Sequence, residues 1–234
     1  MVRSQPVRVA VAANAQFVIK QLQGDFKSKT GIETEAIIGS SGNLTAQIKN
    51  GAPFDLFLSA DMDFPNDLFK NGFAITTPKE YASGSLIICS NGNVDLKNWR
   101  SLLLAGNVQK IAIANPAIAP YGKAAEEALR HYGLWDKINN KLVYGESISQ
   151  VNTYITTGTV GAGFTTEALI YEFPGKEKLK WQRVDKTAYN KISQGYVVLS
   201  YSRKGNYANA MKFYNYISSP EARKVLKQFG YQVL

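Results

Sequence analysis

The sequence predicts an α/β fold with parallel strand pairing. Three observations lead there. Short apolar runs, at residues 7–12, 54–58 and 111–114, alternate with segments of helical length. The first of those segments sets Phe17, Ile19, Leu22 and Phe26 at helical spacing on an otherwise polar stretch. Glycines close the periodic segments, as at Gly31, Gly72 and Gly133.

Taken in order, a strand over 7–12 leads to a helix over about 15–29, and a strand over 33–38 follows Gly31. A helix over about 43–50 is broken by Gly51-Ala52-Pro53, and residues 54–58 form a buried strand. A short helix over 61–71 comes next, then an extended apolar stretch over 81–89. The middle of the chain reads as a short helix (98–104), a strand (111–114), a helix (122–131), a strand (142–144), a helix (147–156) and a strand (161–164). A helical turn at 167–171 and a polar, Lys-rich stretch over 176–191 precede an apolar strand at 194–201. Helices over 207–218 and 220–229 end the chain, the second opened by Pro220, which suits a first helical turn. The extended segments near 81–89 and 194–201 are candidate crossovers, so two lobes are permitted: 1–84 with 195–234, and 85–194.

With 45% hydrophobic and 19% charged residues, the 234-residue chain has an ordinary globular composition, long enough for one large domain or two modest ones. No apolar run approaches the ~18–20 residues of a membrane span. The opening Met1-Val2-Arg3-Ser4-Gln5-Pro6 lacks the apolar core of a signal peptide, which fits a cytosolic protein or a mature secreted form with an added Met. The net charge of +9 is scattered, with mild clusters at 176–183 and Arg203-Lys204, and no nucleic-acid signature accompanies it. A solvated basic surface is expected, one that also attracts small anions at long range. Cys89, the single cysteine, excludes an internal disulfide and reads as a buried small hydrophobe. His131, the single histidine, reads as a surface residue.

The sequence lacks a G-x-x-x-x-G-K-[ST] loop, an H-E-x-x-H pair and a G-x-S-x-G elbow. Asp61-Met62-Asp63 reads as helix capping, and Glu126-Glu127 cannot both face one site. What remains are neutral donors where helices begin after strands: Ala13-Asn14, Ser40-Ser41 and Asn115. A helix N-terminus offers unpaired N–H groups and a positive dipole end, so it holds an anion without a charged side chain. Plain N-capping explains any one such turn. Two after successive strands would face the same carboxyl edge of an open sheet. Tyr121 and Ile148 open further helices, Ile148 with only a backbone N–H to give.

Residues 9–17 (VAVAANAQF), 39–48 (GSSGNLTAQI) and 51–61 (GAPFDLFLSAD) resemble blocks of the periplasmic molybdate-binding proteins of ABC transporters. Residues 114–129 (ANPAIAPYGKAAEEAL) and 219–231 (SPEARKVLKQFGY) fit the same family, in order along nearly the whole chain. The resemblance implies a two-lobed type II periplasmic-binding-protein fold. Each lobe would be a mixed, mainly parallel sheet flanked by helices, with two hinge crossovers near 83–85 and 194–196. It implies oxyanion contacts at Asn14, Ser41, Tyr121 and the backbone of Ile148, with Ala13 and Ser40 as possible additional donors. Phe164 stands where many relatives have a tyrosine and cannot donate; the hydroxyl of Tyr121 is the expected compensation.

The ligand so implied is molybdate, with tungstate, held as an oxyanion without direct metal-ion ligands and delivered to a membrane permease. No cofactor, catalysis or nucleic-acid partner is expected, and a monomer in the periplasm or a cell-surface lipoprotein is. Proton-free dianions suit a site of donors only, whereas phosphate keeps a proton and favours an acceptor carboxylate. A receptor for sulfate or another tetrahedral oxyanion remains open, because cavity size is not written in the sequence. So do an effector module of a regulator and, less favoured, an enzyme on the same fold.

Overall fold

The computed structural model describes residues 5–92 and 94–233. Met1–Ser4, part of the opening segment read above, lie outside them. Two compact units emerge, Met1–Ser83 with Ser193–Leu234, and Gly84–Ile192, so the chain passes from one to the other twice.

In the first unit β1 (Val7–Ala12), α1 (Val18–Thr30), β2 (Thr34–Gly39), α2 (Ser41–Lys49), β3 (Leu56–Leu58), α3 (Asp63–Lys70) and β4 (Lys79–Gly84) follow in order. The second unit continues with β5 (Leu86–Ser90), α4 (Trp99–Leu104), β6 (Ile111–Ala114), α5 (Pro120–His131), α6 (Trp135–Ile138) and β7 (Leu142–Gly145). It closes with α7 (Ile148–Thr156), β8 (Ala162–Thr166), α8 (Leu169–Glu172) and β9 (Lys180–Arg183). Then β10 (Ile192–Val198), α9 (Tyr207–Ile217) and α10 (Pro220–Gln228) return the chain to the first unit. Each unit has one five-stranded sheet, ordered β2-β1-β3-β10-β4 and β7-β6-β8-β5-β9. Both are mixed. β1 pairs in parallel with β2 and β3, and β6 with β7 and β8, while β10 and β5 run antiparallel to β3 and β8.

The apolar stripe of α1 falls on Val18, Ile19, Leu22 and Phe26, with Phe17 at the N-cap instead of in the helix. A 3-10 turn at Ala13–Ala15 separates strand from helix and delays the helix to Val18. Phe26 packs against Phe213 and Tyr216 of α9 with ring centroids 4.9 and 5.3 Å apart. Gly31 ends α1 at φ 71°, a left-handed conformation that costs a glycine little. Asp55, inside the GAPFDLFLSAD block, has a structural task. Its Oδ2 accepts from the Arg8 N–H (2.8 Å) and from Asn206 Nδ2 (2.9 Å), tying the edge of β1 to the start of α9. Burial pushes its pKa up against those bonds.

The 81–89 stretch is two strands, β4 and β5, and the polar 176–191 segment contains β9. Strand β9 is exposed along its length and pairs only with β5, so its charged residues mark a protected sheet edge. His131 is exposed, beside the Tyr132 ring. Cys89 is fully buried in β5, and burial pushes its thiol pKa up to about 12. The native protein is therefore expected to resist a thiol reagent at pH 8 and to react fully once denatured; native labelling at the unfolded rate would contradict this burial. No helix of the described residues is long and apolar enough to cross a membrane.

Candidate functional site

Parallel pairing sets the ends of β1, β2 and β3 side by side, with Ala12 opposite Gly39 and Val11 opposite Leu58. The turns that follow, Ala13-Asn14, Ser40-Ser41 and Ser59-Ala60, thus share one sheet edge, where α/β sheets take ligands. Ser40 is the N-cap of α2, its Oγ accepting from the Asn43 N–H at 3.4 Å. Ser41 is the first helical residue and is buried. Its Oγ accepts the Ala60 N–H at 3.0 Å, which occupies a lone pair and leaves the hydroxyl proton to be donated. Ala13 and Asn14 are buried in the 3-10 turn, which no side chain caps.

Asn14 differs from the simple donor expected. Its Nδ2 donates to Gln194 Oε1 at 3.0 Å and to Tyr231 Oη at 3.4 Å, while its buried Oδ1 has no partner.

In the second unit β6 and β7 end together at Ala114 and Gly145, and β8 runs parallel to β6. Helices α5 and α7 start from that edge. Asn115 does not open a helix: its Oδ1 accepts from the Ala117 N–H at 3.0 Å in a local turn, and α5 begins at Pro120. Tyr121 is buried in the first turn of α5, and its hydroxyl accepts from Thr166 Oγ1 at 3.2 Å. Gly122 lets this helix start close to β6, since a Cβ there would lie 2.1 Å from the Ala114 carbonyl oxygen. Ile148 is the buried first residue of α7, whose N-cap Ser147 makes no side-chain cap. One turn on, buried Asn152 accepts from Thr165 Oγ1 at 2.5 Å and its Nδ2 has no partner. Phe164 is fully buried, edge-on to Trp99.

Two carboxylates near these edges are already engaged. Asp61 Oδ1 accepts from Ser59 Oγ and from the Phe64 N–H in the first turn of α3. Glu167, which follows Thr166, is buried and takes a two-pronged bond from Arg183 together with the Tyr171 hydroxyl. The hydrogen bond and charge of Glu167 raise the pKa of Arg183. Glu146 is exposed, its N–H bonded to Gln150 Oε1. Among the described residues no group of three or more His, Cys, Asp and Glu is placed to hold a metal ion. Each unit therefore offers uncharged hydroxyls, amides and helix starts along one sheet edge, a chemistry suited to holding an anion.

Gln194, Tyr231, Asn152 and Thr166 were not singled out from the sequence as site residues. Gln194 lies 180 residues from Asn14 and Thr166 lies 45 from Tyr121, so no local pattern could link them.

Residues 7–232 match the bacterial extracellular solute-binding protein family. The chain is 33% identical over 226 residues to the molybdate-binding protein ModA of Azotobacter vinelandii, covering 96% of this chain and 89% of that one. It is 31% identical over 230 residues to the putative ABC transporter substrate-binding lipoprotein YvgL of Bacillus subtilis, covering 95% and 85%. The solved periplasmic molybdate-binding protein of Azotobacter vinelandii matches the fold with a TM-score of 0.90 at 33% identity, over 97% of this chain and 99% of that one. With the match running from the first strand to the last residues, the chain belongs to the bacterial extracellular solute-binding protein family.

Proposed function

We propose that this protein captures molybdate, and tungstate with it, outside the cytoplasm and hands it to the membrane permease of an ABC transporter. The observation that carries the reading is the donor set, which is uncharged at every expected contact while the nearby buried or capping carboxylates of Glu167 and Asp61 are spent on other partners. A dianion without protons needs only donors, and a free carboxylate acceptor would favour a protonated ligand such as phosphate. The molybdate-binding relatives support the same ligand.

In this reading Asn14 and Ser41 hold the ligand from the first unit, with Ala13 and Ser40 adding backbone donors. Tyr121 and the Ile148 N–H hold it from the second. The two units act as the lobes, 1–84 with 195–234 and 85–194. The protein binds without catalysis, as a monomer and without nucleic acid. Its net charge of +9 draws anions in. It works in the periplasm or on a lipid anchor at the cell surface, the two settings its relatives' names describe.

Calorimetric titration with molybdate, tungstate, sulfate and phosphate tests this. Saturable binding of molybdate and tungstate, with phosphate silent, is the expected result. Sulfate bound more tightly than molybdate would reassign the ligand, and silence with all four would overturn the receptor reading.

A further inference from the structure

The last two residues of β8 each hold a polar partner, one on either face of the second unit's sheet. Strand alternation puts them there. A Cβ on Gly163 would meet Ile155 of α7 at 2.8 Å, so Gly163 and Thr165 face α7. Thr166 faces the other way and bonds Tyr121 of α5. The pairing of Ala112 with Gly163, continued along both strands, sets Thr165 level with Ala114, which pairs with Gly145. Thr165 therefore lies in the terminal row of the sheet, at the edge from which α7 starts.

Asn152 meets Thr165 in that row. It follows Ile148 by one turn and shares its face of α7, and helical Cα–Cβ bonds lean toward the N-terminus. The Asn152 amide accordingly reaches back toward the first turn, which no side chain caps. Its Oδ1 accepts from Thr165 Oγ1 at 2.5 Å, a separation that suits O–H···O and is too short for N–H···O. This settles which end of the amide faces Thr165. Nδ2 points away from the threonine with two protons and no acceptor, although Asn152 is only 5% exposed. Buried N–H groups without an acceptor are destabilising and rare. An oxyanion at the start of α7 supplies the acceptor.

We propose that Asn152 is a further oxyanion contact of the second unit, donating through Nδ2 beside the Ile148 N–H, with Thr165 as its positioning residue. The inference rests on the reading of this edge as part of the oxyanion site. Because Thr165 occupies Oδ1, the amide offers the ligand protons only. That favours an anion that accepts at every oxygen over one that must donate a proton of its own.

Measurements with molybdate test it. In 15N NMR of the wild-type chain, the Asn152 side-chain amide resonance is expected to shift on saturation, together with the Ile148 backbone N–H. By calorimetry, Asn152→Leu combined with Thr165→Val should lose about tenfold or more in affinity. The same two changes remove both ends of a buried polar contact, so the ligand-free variant should melt at or above the wild-type temperature. An amide with only a structural role would lower the melting temperature instead. Thr165→Val alone should weaken binding, and Thr165→Ser, which keeps the hydroxyl, should restore it. Wild-type affinity in the double variant, or an Asn152 amide unmoved while Ile148 shifts, overturns the proposal and leaves the receptor function standing. If the double variant does not fold, the wild-type amide resonance decides alone. A wild-type chain that binds no oxyanion overturns both.

Discussion

Ser41→Ala is expected to weaken molybdate binding by about 10- to 100-fold, the worth of one hydrogen bond to a charged group, ~1.5–3 kcal/mol. A second effect is expected in the ligand-free protein. The Ala60 N–H, which now donates to Ser41 Oγ at 3.0 Å, is left buried without an acceptor. That costs ~1–3 kcal/mol of stability and lowers the melting temperature by about 2–4 °C per kcal/mol in a chain of this size. The two effects separate cleanly, one in the titration and one in an apo thermal melt. Asn14→Ala should lose a kcal/mol or more of binding free energy by the same reasoning. Unchanged affinity in both variants would remove the first unit's turns from the site.

Gly122→Ala is expected to be among the most damaging single-methyl changes in the second unit. The added Cβ would sit 2.1 Å from the Ala114 oxygen, 2.7 Å from its carbonyl carbon and 3.0 Å from the Asn115 carbonyl carbon. All three are backbone atoms at the end of a central strand, so no side-chain rotation relieves the overlap. The start of α5 must lift away from β6, and Tyr121 goes with it, out of reach of Thr166. Overpacking of this kind costs about 3 kcal/mol or more, a fall of ~6–12 °C in melting temperature, with weaker oxyanion binding alongside. Scanning calorimetry within a degree of the wild type would show that the helix start does not need this close approach. The space around Gly24 makes the comparison useful: nothing lies within 4 Å of a Cβ there, so Gly24→Ala in α1 should leave melting unchanged or raise it.

The alternation of strands and helices was legible because each element's burial is local. Residues 54–58 announce a buried strand by being apolar, and α1 announces its inner face by spacing. Asn14 and Ser41 were visible as neutral donors following strands. Strand β9 was missed because an exposed edge strand of charged residues has no apolar alternation to read. Asn115 misled because an Asn after a strand caps a helix or closes a local turn with the same side-chain geometry, and the helix begins only at Pro120, after four intervening residues. Ile148 contributes a backbone N–H, and an isoleucine side chain says nothing about that. Only the family resemblance brought it forward.

By itself the sequence determined the fold class, the burial of Cys89 and the uncharged character of the donor turns, because these depend on residue type and on neighbours a few positions away. The tertiary structure decided how those donors are used. It set Ala60 against Ser41, Thr166 against Tyr121, and Gln194 against Asn14 across 180 residues of chain. Which end of a buried amide faces a ligand depends on the group behind it, and only the folded topology brings that group into place.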